Sequence, residues 1–183
     1  RRWHRVEQAT LSYGYGLSVT ALQLASAFAA MADEGRMRKP SLIQGTNNPA
    51  VSIIDPEVAR EVAIMLETVT GPEGTGKGAR VSNYRVSGKT GTSRKASAAG
   101  YASRYIATFA GFAPSSNPRL VAIVTINDPS AGEYYGGLVA APLFSTIMSG
   151  ALRLLDIPPD NFDGALVHID SAEESMDVDG GVD

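Results

Sequence analysis

Four hydroxyls, three cations and two glycines crowd into one short run, Val86-Ser87-Gly88-Lys89-Thr90-Gly91-Thr92-Ser93-Arg94-Lys95. On an extended strand Thr90 and Thr92 share one face and Lys89 projects from the other. Gly88 and Gly91 remove side chains that would hold another backbone away. Two hydroxyls at i and i+2 beside Lys89 and Arg94 make a receptor for a carboxylate, and an outward backbone N–H next to them can stabilise an oxyanion. Such an edge can also take an extended peptide as an added strand. The same residues fit an ordinary polar edge strand whose charges block aggregation, so residue types alone leave both readings open.

Other chemistry-bearing patterns are weaker. Gly71-Pro72-Glu73-Gly74-Thr75-Gly76-Lys77-Gly78 nearly spells a phosphate loop, but Gly78 stands where a Ser or Thr must hold magnesium, and the run follows a helix rather than a strand. A mobile glycine loop is the better reading. Ser115-Ser116-Asn117 lies between two prolines, where Ser and Asn serve a turn. His4 and His168, the two histidines, lie near opposite ends and read as surface residues. With no cysteine, thiol nucleophiles, disulfides and zinc-thiolate sites are excluded, and neither a metal site nor a cofactor is expected.

The elements that must position the strand are well marked. Thr20-Ala21-Leu22-Gln23 has the form of a capping box, and Leu22, Ala25, Phe28, Ala29 and Ala32 recur at helical spacing, which predicts a helix over 20–33. Asp55-Pro56 is an N-cap with proline at the first helical position, ahead of the stripe Val58, Val62, Met65, Leu66 and Val69. Residues 84–93 read as a strand. Runs 105–113 and 119–127, separated by Pro114-Ser115-Ser116-Asn117-Pro118, read as a β-hairpin. A last helix is expected over 139–155, before Pro158-Pro159. The order helix, helix, three strands, helix, without βαβ alternation, predicts an α+β fold in which helices pack an antiparallel sheet.

At 183 residues, 44% apolar and 19% charged, the chain can bury one sizeable core. No run approaches the ~18 consecutive apolar residues of a spanning helix. The formal charge of −3 is unevenly spread: no Lys or Arg follows Arg153, while eight of the 19 acids lie after residue 159. Residues 160–183 therefore read as an acidic, disordered tail, with 165–169 able to form one short strand. The mildly basic body over 1–159 suits an anionic ligand but carries no Lys/Arg run of the nucleic-acid kind.

Lys89-Thr90-Gly91-Thr92 resembles the third signature motif of the penicillin-binding protein and serine β-lactamase superfamily. The segment Ala9–Ala25 is similar to the one preceding a core helix in class B penicillin-binding proteins. Tyr105-Ile106-Ala107 through Gly111-Phe112-Ala113-Pro114, Ile126-Asn127-Asp128-Pro129 and Tyr134-Tyr135-Gly136-Gly137 resemble the following strands and loop of the septal, cell-division branch of that family. The likeness covers residues 7–158. It implies a transpeptidase that cross-links peptidoglycan stem peptides ending in D-Ala-D-Ala, is acylated by β-lactam antibiotics, works with cell-division proteins and sits on the periplasmic face of the inner membrane. By resemblance Lys89 would shape the electrostatics of the catalytic network, Thr90 and Thr92 with Gly91 between them would bind the carboxylate, and the Thr92 N–H would give one oxyanion-hole donor. Tyr105, Tyr134 and Tyr135, with Arg94 close by, would build an aromatic wall beside the inhibitor side chain, the alternative being ordinary core or hairpin packing of the tyrosines.

Family members acylate a serine in a Ser-x-x-Lys motif, with a Ser-x-Asn motif nearby, both upstream of the Lys-Thr-Gly strand. Here Lys39, Lys77, Lys89 and Lys95 are preceded three residues earlier by Arg36, Gly74, Val86 and Thr92, so no Ser-x-x-Lys exists, and Ser115-Ser116-Asn117 comes on the wrong side of the strand. The expectation is a C-terminal portion of the domain that does not acylate alone. Its upstream part, or a companion chain, would carry the nucleophile, and exposed apolar faces would make the lone piece prone to association. The alternatives are a β-lactamase or D,D-carboxypeptidase, which needs a deacylating base that the segment does not reveal, and a β-lactam sensor without turnover.

Overall fold

The computed structural model describes residues 3–12, 14, 16–97 and 100–161. Helices α1 (Arg5–Ser12) and α2 (Ala21–Ala32) lead to a two-stranded ribbon, β1 (Arg36–Arg38) and β2 (Ala50–Ser52), and then to α3 (Pro56–Thr68). A single 3-10 turn, Lys77–Ala79, precedes the three long strands β3 (Ser87–Ser97), β4 (Gly100–Ala113) and β5 (Leu120–Asn127). Helices α4 (Gly136–Val139) and α5 (Ala141–Leu154) follow. The sheet is antiparallel throughout in the order β3-β4-β5, which leaves β3 at an edge among the described residues. This is the predicted mixture of helices on an antiparallel sheet.

The helices begin where their caps are written. Thr20 Oγ1 accepts from Gln23 N at 3.2 Å while Gln23 Oε1 accepts from Thr20 N at 2.8 Å, so both halves of the capping box form. Asp55 Oδ1 accepts from Glu57 N at 2.8 Å ahead of Pro56. Phe109 on β4 packs against Phe144 on α5, ring centroids 4.7 Å apart, in a core with Val86, Val124, Met148 and Leu152. Phe112, of opposite parity on the strand, is fully buried too, so both faces of β4 are covered. The Phe109 ring lies against bare backbone: a Cβ on Gly88 would stand 2.5 Å from its Cζ, and one on Gly76 2.7 Å from its Cε2.

Several expectations change. The strand expected over 84–93 runs from Ser87 to Ser97, because Val81 and Tyr84 form a separate bridge and the Tyr84 hydroxyl is tied to Ile157 O at 2.5 Å. The glycine loop is packed rather than mobile: Gly76 N donates to Val69 O at 2.8 Å, and a Cβ on Gly74 would meet that same carbonyl oxygen at 2.0 Å. The stretch Gly136–Leu154 has the length and composition to cross a bilayer, against the sequence reading. In the fold it includes α5, whose Phe144, Met148 and Leu152 are buried in the core. Helix α1 and the β1–β2 ribbon had no forecast. Ser115 belongs to the turn as expected, its N–H donating to Arg85 O at 2.9 Å, and its hydroxyl meets the buried Ser87 Oγ at 2.6 Å.

At the head of the acidic tail, Asp160 accepts from Arg85 N at 2.7 Å and from Ser116 Oγ at 2.7 Å. From residue 162 on, the tail, with the short strand over 165–169 and His168, lies outside the described residues. Apolar side chains of all five helices stand in solvent, among them Val6, Leu22, Ile64, Leu138 and Ile147, as the sequence reading expected of the lone piece.

Candidate functional site

The two threonine hydroxyls come together on β3, and two segments distant in sequence reach them. Register pairs Thr90 with Phe109, Thr92 with Ala107 and Arg94 with Tyr105 across to β4. Thr90 Oγ1 lies 3.0 Å from Thr75 Oγ1, which the glycine loop delivers. Thr92 Oγ1 accepts from Gly136 N at 3.0 Å, at the start of α4. Because that oxygen is engaged as an acceptor, the Thr92 hydroxyl proton is left to donate outward.

The open edge follows from Lys89. Its Nζ donates to Thr90 O at 3.0 Å and both groups are exposed, so the Thr90 backbone faces away from β4. In an antiparallel pair each residue turns its N–H and C=O to the same edge, with a period of two, so Thr92 presents its N–H there as well. Hydroxyls, an ammonium group and a backbone donor thus converge along one unpaired edge. Gly91 is exposed between them, and a Cβ at that position would meet only Thr108 Cβ, at 3.8 Å, so its open side is available to a ligand.

The tyrosines come together at the end of the same strand pair. Tyr105 and Tyr134 stack with ring centroids 4.1 Å apart and planes 16° off parallel, and Tyr134 and Tyr135 stand 4.6 Å apart. Arg94 Cζ lies 6.0 Å from the Tyr105 ring centre, at the outer limit of a cation–π contact. Tyr134 donates to Tyr135 Oη at 3.4 Å. That bond, with charge repulsion from the two neighbouring phenols, pushes the Tyr134 phenol up to about 12.

All eight residues singled out from sequence therefore lie along β3 or beside its end. Thr75, Gly136 and Gly137 were not among them. A Cβ on Gly136 would stand 2.4 Å from Thr108 O and 2.5 Å from Gly91 O, and one on Gly137 2.0 Å from Thr75 O, so only glycine lets α4 come down onto the strand. The doubled glycine after two tyrosines was the available signal, but its meaning depends on a contact 44 residues away. A cavity of about 730 Å3 lies between α2 and the β1–β2 ribbon, and one of about 540 Å3 lies beside Glu67, Arg80 and Arg85, both away from the hydroxyl pair; one of about 610 Å3 is lined by the glycine loop from Thr68 to Thr75.

Comparison with known proteins was made with this geometry in place. The family described as penicillin binding protein transpeptidase domain matches residues 1–149. A probable peptidoglycan D,D-transpeptidase, PbpC, of Pseudomonas aeruginosa is 45% identical over 163 residues, covering 87% of this chain and 29% of the relative. The peptidoglycan D,D-transpeptidase FtsI of Escherichia coli K12 is 44% identical over 162 residues, covering 87% of this chain and 28% of FtsI. Among solved structures, the apo transpeptidase domain of Burkholderia pseudomallei penicillin-binding protein 3 superposes with a TM-score of 0.77 at 43% identity, covering 86% of this chain and 49% of that one. The chain thus spans less than a third of the length of these curated relatives and about half of the solved domain.

Proposed function

The chain belongs to the penicillin-binding protein transpeptidase domain family, and on that premise we propose that it supplies the substrate-binding strand of a peptidoglycan D,D-transpeptidase. The observation that carries this reading is the pair of threonine hydroxyls held on the open edge of β3, one by Thr75 and one by Gly136 N. A stem peptide would lie along that edge with its terminal carboxylate on Thr90 and Thr92 and near Lys89. The scissile carbonyl would then fall beside the Thr92 N–H, which stabilises the oxyanion. A serine from the upstream Ser-x-x-Lys segment would attack the D-Ala-D-Ala bond, release the terminal D-alanine and pass the acyl group to an amine of a neighbouring strand.

β-Lactams carry a carboxylate and a strained carbonyl in the same relation, so they would enter along the same edge. The aromatic group of Tyr105, Tyr134 and Tyr135 would then flank their side chain, with Arg94 alongside. Peptidoglycan as substrate supports a site on the periplasmic side of the inner membrane, and the resemblance to the septal branch suggests cell-division proteins as partners.

The test is a chimera in which residues 1–161 replace the matching segment of E. coli FtsI. Acylation by a fluorescent penicillin, lost in Lys89→Ala and strongly slowed when Thr90 and Thr92 are both changed to Val, is the expected result. A folded chimera that keeps its serine and is never labelled would overturn the reading.

A further inference from the structure

Where β5 ends, one carboxylate gathers cations from two other strands. Asp128 Oδ2 accepts from Lys95 Nζ at 2.8 Å and from Arg104 Nε at 3.1 Å, and Arg104 Nη2 bonds to it as well. Lys95 Nζ also donates to Asn127 Oδ1 at 2.8 Å. Among the described residues Asp128 Oδ1 has no hydrogen-bond partner, so the anchoring seen for this carboxylate passes through Oδ2. Lys95 sits on β3, and β4 lies between that strand and β5. It makes the reach from the irregular step between Arg94 and Ala96, the kind of ladder break that re-aims a side chain. None of these residues takes part in the hydroxyl receptor.

The same carboxylate residue is tied to the aromatic group by its backbone. Asp128 N donates to Tyr105 O at 2.9 Å, and Asp128 has a left-handed backbone, φ 54°, which turns the chain out of β5. From there the chain runs through residues 129–133 to Tyr134, which returns to stack on the Tyr105 ring. Tyr105 is thus held twice, by its carbonyl at the beginning of this loop and by its ring at the end. We propose that Asp128 is a positioning residue: its ion pairs to Lys95 and Arg104 fix where the loop leaves β5, and so fix the Tyr105–Tyr134–Tyr135 stack that discriminates ligands by the size of their acyl side chain. The proposal rests on the function given above for its ligand class, while its structural half stands without it.

An isolated surface ion pair contributes little, but one acceptor holding two cations from separate strands, one of them through two guanidinium nitrogens, is the networked case in which geometry counts. Asn at position 128 keeps the shape and the tolerance of a left-handed backbone while removing the charge. The stack also carries its own signature, because the Tyr134 phenol is held at about 12 only while Tyr135 and Tyr105 lie against it. Arg94 Cζ stands 6.0 Å from the Tyr105 ring centre, on the same stack.

In the FtsI chimera, Asp128→Asn and Arg104→Gln would be compared with the parent in two measurements. One is the second-order acylation rate with a β-lactam bearing a bulky aromatic acyl group and with one bearing a small aliphatic group. The other is phenolate absorbance after a rapid jump to pH about 10.5, above the ordinary tyrosine range. The expected result is an about fivefold slower reaction with the bulky reagent in Asp128→Asn, the small reagent unchanged, and Arg104→Gln moving the same way. One extra phenolate should appear on the jump, and it should vanish in a Tyr134→Phe background. Equal slowing with both reagents, or no change with either, overturns the proposal. If the parent chimera reacts with neither reagent, the functional reading has failed, and the phenolate step alone decides: its absence in Asp128→Asn overturns the positioning role.

Discussion

An alanine at position 136 would place one methyl group 2.4 Å from Thr108 O and 2.5 Å from Gly91 O. Both atoms belong to the paired backbone of β3 and β4, which cannot yield without breaking the ladder. Helix α4 must therefore retreat by about 0.6 Å or more to reach a tolerable contact. The Gly136 N to Thr92 Oγ1 hydrogen bond, now 3.0 Å, then passes beyond useful length. Losing that bond alone is worth ~0.5–1.5 kcal/mol, or about 2.3-fold to 13-fold in rate. Misplacing a receptor group by close to an ångström can raise the loss to about 100-fold.

The assay is the second-order acylation rate of the FtsI chimera with a penicillin, read beside a thermal melt to separate local displacement from unfolding. Acylation within about twofold of the parent in a variant with the parent's melting temperature would refute the claim that Gly136 N orients Thr92.

Three further outcomes follow from the same structure. Gly150 lies inside α5 with open space around its Cα, so Gly150→Ala should stabilise the chain by ~0.5–1 kcal/mol in urea unfolding and leave acylation unchanged. Asp55→Ala removes the N-cap of α3 and should cost about 1 kcal/mol by the same measurement. Hydrogen bonds from Arg104 and then Lys95 hold the Asp128 carboxyl below its ordinary 3.8. A carboxyl lowered on folding stabilises above its unfolded value and loses that contribution as pH falls. The stability gap between parent and Asp128→Asn should accordingly be flat above pH about 5 and close as pH drops below it.

The parts of the fold that could be read from sequence are those whose determinants are local. Thr20 with Gln23 and Asp55 with Pro56 announce α2 and α3 because a cap and its partner lie within three residues. The alternation in β4 and β5 and the proline-flanked turn between them are equally self-contained. Helix α1 escaped notice because it buries no residue, and β1 and β2 because three residues each are too few to show a period. The receptor was half legible. Lys89, Thr90, Thr92 and the tyrosines are recognisable by type and spacing, whereas Thr75 and Gly136 act through contacts 15 and 44 residues distant, which no local pattern encodes. The glycine loop was misjudged for a related reason. Its glycines read as freedom, yet Gly74 and Gly76 are there because Val69 O and the Phe109 ring leave no room for a side chain.

That ring has a further consequence for how this protein can vary. Phe109 touches Gly76, the neighbour of Thr75, on one side and Gly88, two residues before Thr90, on another, so its thickness acts as a gauge between the two threonine hydroxyls. A smaller residue at 109 would let the gauge close and a larger one would force it open, long before the fold itself was lost. Interior and recognition edge are then one inheritance unit. A lineage that altered the ring would have to alter the glycines around it in the same step, and a designer wishing to retune the spacing of the two hydroxyls could begin in the core, at a fully buried residue.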